Sequence, residues 1–394
     1  MKQIYLDYAA TTPVDPEVAK AMIECLTMEG NFGNPASNTH FFGWLAKEAV
    51  TEARLQVADL LGADSREIVF TSGATESNNL AIKGVADAYS HKGKHIITCV
   101  TEHKAVLDPC KYLETIGHEV TYLQPNTEGL ISVAQVQDAM REDTILVSVM
   151  FVNNEIGVIQ PIAEIGALCR GRKILFHVDA AQAVGKLDVD VKSMNIDLLS
   201  LSSHKLYGPK GMGALYVRRR PKIKLTPLIH GGGHEQGMRS GTLATHQIVG
   251  LGRACSVANA CLSEEYQKLL SFRRYFIDSV KVIPELKING DPKHVFPGIL
   301  NVTIEGVDGE ALMMALNEVA ISAGSACNSA TIEASYVLQA IGLTAEQAHS
   351  SFRVSFGRFT AQADVGKLIA LLIKQVAKLR KMSPLWRKGK GDVI

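Results

Sequence analysis

The sequence predicts an α/β architecture: a large domain built on a doubly wound, mostly parallel sheet, joined to a smaller α+β domain. Three observations lead there. Short, apolar, β-branched runs alternate with helix-like stretches from about Val18 to about Ala260, each run ends in turn or cap residues, and the alternation stops near Leu262. Continuous apolar runs of this length fit strands buried on both faces, and their alternation with helices fits parallel crossover units.

Taken in order, the strand candidates are Glu67 to Phe70, His95 to Val100, Thr144 to Val149, Lys173 to Val178 and Ile196 to Leu201, followed by Ala214 to Arg218. The character then changes. A helix-like stretch from Glu264 to Val280 leads into short strand candidates at Leu286 to Asn289, Ile299 to Ile304 and Ser351 to Ser355. The expected division is 15–262 for the large domain and 1–14 with 263–394 for the small one, with Ile4-Tyr5-Leu6 packing near the latter.

Composition bounds the function. A chain of 394 residues exceeds one ordinary core, and 46% hydrophobic residues with a mean hydropathy of +0.08 suit a globular protein. The formal charge of +1 shows neither a nucleic-acid nor a membrane footprint. No apolar run reaches spanning length and the N-terminus lacks a signal-like stretch, so the expected compartment is the cytoplasm. Seven scattered cysteines, without a CxxC pair or metal-ligand spacing, argue for free thiols. Cys99 falls in a strand-like run; Cys25, Cys110, Cys169, Cys255 and Cys261 fall in helix-like stretches as small buried hydrophobes.

Five strand candidates end in reactive segments: Thr71 to Thr75, Glu102-His103, Asn153-Asn154-Glu155, Asp179 to Gln182, and Ser202 to Lys205. An open parallel sheet binds ligands outside the carboxyl ends of its strands, where all five would converge. Any one of them alone would be an ordinary cap or loop residue. Together they suit pyridoxal 5'-phosphate. Lys205 supplies the amine for its aldehyde, Asp179 the anion for its pyridinium, His103 a planar cover, and Gly73-Ala74-Thr75 a helix start for its phosphate. Gln182 and Asn154 are placed to serve the ring hydroxyl.

Cys327 stands apart from the other cysteines. It lies in Gly324-Ser325-Ala326-Cys327-Asn328-Ser329-Ala330, small and polar without apolar periodicity, which reads as a mobile exposed loop spanning about 322–334. Beside such a cofactor, an accessible thiolate suggests capture of a substrate sulfur as a persulfide. Other chemistries fit less well. His230-Gly231-Gly232-Gly233 has no GxSxG partner, His230 and His234 are separated by glycines that would not hold a helix, and Gly208 to Gly213 lacks the P-loop lysine spacing. The basic run at Arg218-Arg219-Arg220 reads first as a solvated loop, and the basic stretch Lys374 to Lys390 as a helix end and tail.

With these motifs in view, the chain closely resembles the cysteine desulfurases of the iron-sulfur-cluster-assembly type, fold-type I enzymes of the class V aminotransferase group. The resemblance runs from Tyr5 to Trp386 and includes Phe32 to Ser37, Thr71 to Asn79, Thr101 to Lys104, Val152 to Gly157, His177-Val178-Asp179, His204-Lys205, His230 to His234, Met238 to Thr242 and Gly324 to Ala330. It implies Lys205 as the Schiff-base lysine, His103 as stacking ring and acid-base group, and Asp179 as pyridinium partner. It also implies Asn154 and Gln182 on the ring oxygen, and Ala74, Thr75, Ser202 and His204 on the phosphate. Thr242 would join the phosphate from the other subunit of a homodimer. Arg353, with Asn34 nearby, would hold the carboxylate of L-cysteine. Cys327 would be the persulfide-forming nucleophile, passing sulfur to an iron-sulfur scaffold or another acceptor; no resident metal is implied beyond transient ligation of a cluster by Cys327.

Asn328, Ala181, Ala183 and Phe151 depart from the family's usual residues without removing a chemical group, and Arg387 to Ile394 departs from its scaffold-docking segment, which favours another acceptor. Two rivals share the cofactor contacts: a selenocysteine lyase or related β-lyase, and a slow paralogue acting mainly as a partner in a sulfur-relay complex.

Overall fold

The structure is a computed structural model that describes residues 3–323, 334–383 and 386. In chain order the strands are β1 (Ile4–Tyr5), β2 (Ile68–Thr71), β3 (His95–Cys99), β4 (Glu119–Leu123), β5 (Thr144–Met150), β6 (Leu175–Asp179), β7 (Leu198–Ser202), β8 (Gly213–Val217), β9 (Leu286–Asn289), β10 (Ile299–Ile304), β11 (Val319–Ala320), β12 (Ser322–Ala323) and β13 (Ser351–Ser355). The helices that matter most here are α1 (Pro16–Ile23), α2 (Phe41–Leu61), α3 (Ala74–Ala88), α4 (Lys104–Thr115), α5 (Val133–Ala139), α6 (Ile162–Arg172) and α7 (Thr245–Val280).

The large sheet has the order β2-β8-β7-β6-β5-β3-β4. From β7 through β4 neighbouring strands are parallel; β8 alone is reversed, pairing antiparallel with β2 and β7. Because β8 enters at Gly213, opposite Thr71 and Ser202, the strands on either side of it still finish at the same edge. The apolar runs are two-sided. Val69, Ile96, Leu146, Leu198 and Leu215 pack with Leu80, Ile82 and Val85 of α3, while the next residues Phe70, Ile97, Val147 and Leu199 join Val57, Leu61, Ile165 and Leu251 on the opposite face. Alternation by two between two separate apolar layers is what a strand covered by helices on both faces requires.

The helix expected from Glu264 and the helix-like stretches around Cys255 and Cys261 are one helix, which begins at Thr245 and runs unbroken to Val280. Gly250 and Gly252 weaken the helical signal of its first half, but they let it lie close on its neighbours: a Cβ at Gly252 would stand 2.6 Å from Ala53 Cα of α2. Packing outweighs the intrinsic cost of glycine, about 1 kcal/mol per residue. Cys25, expected in a helix, sits in the turn after α1, and Cys261 is only partly buried; the six described cysteines are all free.

The remaining strands form an antiparallel sheet, β12-β13-β10-β9, and a parallel pair, β1 with β11. The N-terminal strand therefore lies with the C-terminal third of the chain. The segment following it, Asp7 to Thr12, crosses to the large sheet, where Thr12 receives and donates hydrogen bonds around Tyr207 and His204. Arg358 pairs with both Asp15 and Glu265, at 2.8 and 3.0 Å, and ties this crossing in place.

Candidate active site

At the carboxyl edge of the large sheet lies a cavity of about 720 Å³. The strand order places it at a switch point, since the chain proceeds outward from β3 to β4 on one side and to β5 on the other. Ala74, Thr75, His103, Asn154, Asp179, Gln182, Ser202, His204, Lys205 and Arg353 all line it.

Lys205 follows β7 in a single tight turn, Ser203–Lys205. Its Nζ donates to the backbone carbonyls of Ala9 at 2.6 Å and Ala10 at 2.7 Å. Burial, reinforced by the Arg353 guanidinium, pushes its pKa down to about 8, although Asp7 and Asp179 oppose the shift. At neutral pH this gives an amine with an appreciable uncharged fraction, the form that attacks a carbonyl carbon.

Asp179 ends β6 and is buried, accepting from Asn78 Nδ2 at 2.7 Å and from the Ala181 N–H at 3.0 Å. Asn78, from α3, thus orients the carboxylate from the sheet's helical cover. His103 caps α4, its Nδ1 accepting from the Ala105 N–H at 3.1 Å. That bond leaves the ring proton on Nε2. Burial first, then the charge on Lys205, keeps the ring below its usual pKa and hence neutral, against the pull of Asp179.

The start of α3 has the form of an anion cradle. Gly73 takes φ 149° and ψ 178°, a conformation essentially confined to glycine, and no side chain caps the helix. The first-turn N–H groups of Ala74 and Thr75 therefore face the cavity edge beside Ser202, whose Oγ would lie 3.7 Å from a Cβ placed on Gly73. His204 completes this corner. Its Nδ1 lies 3.0 Å from Thr11 Oγ1, and burial with three nearby lysines, Lys205, Lys210 and Lys186, pushes it down to about 4.

On the opposite wall, Arg353 of β13 donates to Asp7 Oδ1, Ser322 Oγ and the Asn154 carbonyl at 2.8, 3.0 and 2.8 Å. Its Nε is buried without a partner. A guanidinium held on two sides at the cavity wall presents a fixed positive charge to an anionic group.

Three predicted residues stand elsewhere. Asn34 is exposed in the segment between α1 and α2, with its side chain turned onto the Ala36 N–H. Thr242 does not line the cavity of its own chain. Cys327 lies outside the described residues. Conversely, Asp7, Asn78 and Tyr336 belong to the site or its supports without having been expected, and Glu155, expected there only as part of its segment, had been given no role. Glu155 lines the cavity, is raised above its ordinary pKa by burial and accepts from Ser335 Oγ at 2.5 Å; Tyr336 lines it too and donates to the Glu102 carbonyl at 2.7 Å. Glu155 was visible as the last residue of the Asn-Asn-Glu segment, but nothing local distinguished it from a helix-cap or turn carboxylate.

The cavity fits pyridoxal phosphate: a depressed lysine amine, a buried carboxylate, a neutral imidazole and an uncapped glycine-led helix start occur together. Fold and site together define a pyridoxal phosphate-dependent enzyme of fold-type I. The family model for class-V aminotransferases matches residues 4–368. The chain is 61% identical to the cysteine desulfurase IscS of Tolumonas auensis and 61% identical to that of Shewanella sediminis, over 99% of this chain and 96% of each relative. Among solved structures, a NifS-like protein superposes with a TM-score of 0.89 at 33% identity, covering 96% of this chain and all of that one; SspA in complex with cysteine gives 0.80 at 43% identity, covering 91% and 100%. The chain belongs to the class-V aminotransferase family and, within it, to the cysteine desulfurases. Pyridoxal 5'-phosphate is its cofactor.

Among the described residues no cluster of His, Cys, Asp and Glu could hold a metal ion, and no helix is long and apolar enough to cross a membrane.

Proposed function

We propose that this chain removes the sulfur of L-cysteine, releases L-alanine and carries the sulfur as a persulfide on Cys327 to an acceptor protein. Lys205, Asp179 and Arg353 lining one cavity is the observation that carries the reading. Bound pyridoxal phosphate supplies an electron sink that weakens bonds at the substrate's α-carbon and, through it, the β-carbon–sulfur bond.

The residues divide the work. Ala74 and Thr75 at the start of α3, with Ser202 and His204, hold the phosphate, and Thr242 of a second copy joins them, so the working form is a homodimer. Asp179 holds the proton on the pyridine nitrogen, oriented by Asn78. Gln182 and Asn154 serve the ring oxygen. His103 covers the ring plane with its proton on Nε2, available to a reacting atom. Arg353, whose side chain lines the cavity, takes the substrate carboxylate; Asn34 is assigned to the same carboxylate only through the family resemblance.

Lys205 would anchor the cofactor, and its amine would serve as the base that accepts the substrate's α-proton. The Cys327 thiolate then attacks the substrate sulfur. The carbon–sulfur bond breaks, a sulfur–sulfur bond forms, and the β-carbon takes a proton as alanine leaves, so no external oxidant or reductant enters. The acceptor is an iron-sulfur scaffold or another sulfur-carrier protein, and the compartment proposed is the cytoplasm, in keeping with six free described cysteines.

The test is alanine formation from L-cysteine with a thiol reductant, beside Cys327→Ser. The wild type should form alanine and the variant, with cofactor still bound, should not. Sustained turnover by Cys327→Ser would remove Cys327 as acceptor.

A further inference from the structure

Lys186 has no part in the chemistry above, yet it touches one of the residues that does. It follows Gly185 in the turn beyond β6, and its Nζ donates to Gln182 Oε1 at 2.6 Å. On the other side of that amide, Gln182 Nε2 donates to the Ala9 carbonyl at 2.8 Å, the same oxygen that accepts from Lys205 at 2.6 Å. The orientation of the Gln182 amide is therefore settled by its partners. An ammonium can only donate and a carbonyl can only accept, so Oε1 must face Lys186 and Nε2 must face Ala9.

One N–H of Nε2 is used by Ala9 and one remains, and Gln182 is part of the cavity lining. We propose that Lys186 is a positioning residue for the cofactor: by holding Gln182 Oε1 it keeps Nε2 turned inward, as a donor to both Ala9 and the cofactor's ring oxygen. This rests on the assignment of Gln182 to that oxygen. It goes further in naming what fixes the amide.

The surroundings suit a charge held for this purpose. Lys186 lies 5.8 Å from the centroid of the Phe296 ring and lines a small void with Tyr8, Tyr207 and Glu265. Glu265 from α7 favours its charge; burial, Lys205 and Arg353 oppose it. Those opposing influences push its pKa down to about 7. The contact with Gln182 thus carries a proton whose loss lies close to neutrality, and a polarised amide is a stronger donor than a free one.

The test uses the cofactor-loaded protein and reads the pH midpoint of the bound cofactor's visible absorbance. A ring oxygen that loses a donor holds the neighbouring proton more tightly, so the midpoint rises. In Lys186→Met the rise should be about one pH unit, a tenfold change in proton affinity. Lys186→Arg, which keeps a donating N–H, should restore the wild-type midpoint. Gln182→Leu should raise it as well, and adding Lys186→Met to Gln182→Leu should raise it little further, because both act through one contact. Where Lys186→Met does not fold, Lys186→Leu, which likewise has no donor, repeats the measurement. An unchanged midpoint in either folded variant, a shift that Arg leaves uncorrected, or additive shifts would overturn the proposal. A wild-type protein that takes up no pyridoxal phosphate would instead overturn the underlying cofactor assignment.

Discussion

The two walls of the cavity are assembled over different distances along the chain. On the sheet side, Asp179, Ser202 and Lys205 leave the ends of two adjacent parallel strands and their immediate turns. On the facing side, Arg353 reaches Asp7 across 346 residues of sequence and Asn154 across 199, out of an antiparallel sheet of its own. In the proposed function the first wall binds the cofactor, and its geometry comes largely from strand ends. The second is assigned to the substrate, and its geometry depends on two separate sheets being brought together. Their independence can be tested by damaging one at a time.

Lys205→Ala should strike hardest: desulfuration falls to background and the absorbance of covalently held cofactor disappears, read by spectrum and alanine assay together. Arg353→Lys should leave that absorbance intact while raising KM for cysteine about 30-fold, near 2 kcal/mol, because a point charge cannot replace a bidentate fork. A change in cofactor spectrum as large as the change in KM would show that the walls are not separable. Gly73→Ala, imposing a side chain at φ 149°, should cost about 1–2 kcal/mol at the cradle and weaken cofactor binding roughly tenfold, measured by equilibrium dialysis.

The smallest effect concerns pH. The Lys205 amine must lose its proton to attach the cofactor, and with a pKa near 8 its neutral fraction grows as pH rises toward that value. The rate of cofactor uptake by cofactor-free protein should therefore climb about tenfold per pH unit below 8 and level off above it. A rate still climbing steeply beyond pH 9 would place the amine in an ordinary aqueous setting and separate it from the buried wall.

The same contrast explains what the sequence disclosed. The strands of the large sheet are continuous apolar runs, readable from their composition, and the reactive residues follow each within a few positions. The cavity-lining residues Ala74, Thr75, His103, Asp179 and Lys205 were therefore visible as a series. Asp7 beside Arg353 was not, because a partner 346 residues away leaves no local signal. Asn78 was hidden differently, as a buried polar residue on the apolar face of α3 whose partner, Asp179, lies 101 residues on. Helix-like stretches were read around Cys255 and Cys261 and from Glu264 to Val280, but their union into one helix starting at Thr245 was not, because Gly250 and Gly252 lower its helical propensity while their value lies in close packing against Met22 and Ala53. Thr242 and Asn34 carry motif resemblance without a place in their own chain's cavity, consistent with a site that draws on a second copy in the proposed dimer.

The crossing of the N-terminal segment has a further consequence for how the protein is made. β1 is paired with β11 near the far end of the chain, and Ala9 and Ala10 receive the Lys205 amine. During synthesis the first residues to leave the ribosome must wait, unpaired, until some three hundred more have followed. Only then can Arg353 meet Asp7. A nascent or truncated polypeptide ending before β11 carries Lys205, Asp179 and the Ala9 and Ala10 carbonyls but lacks both the strand that pairs with β1 and the arginine that holds Asp7, so its N-terminal strap is anchored at one end only, and interrupted products should hold cofactor weakly.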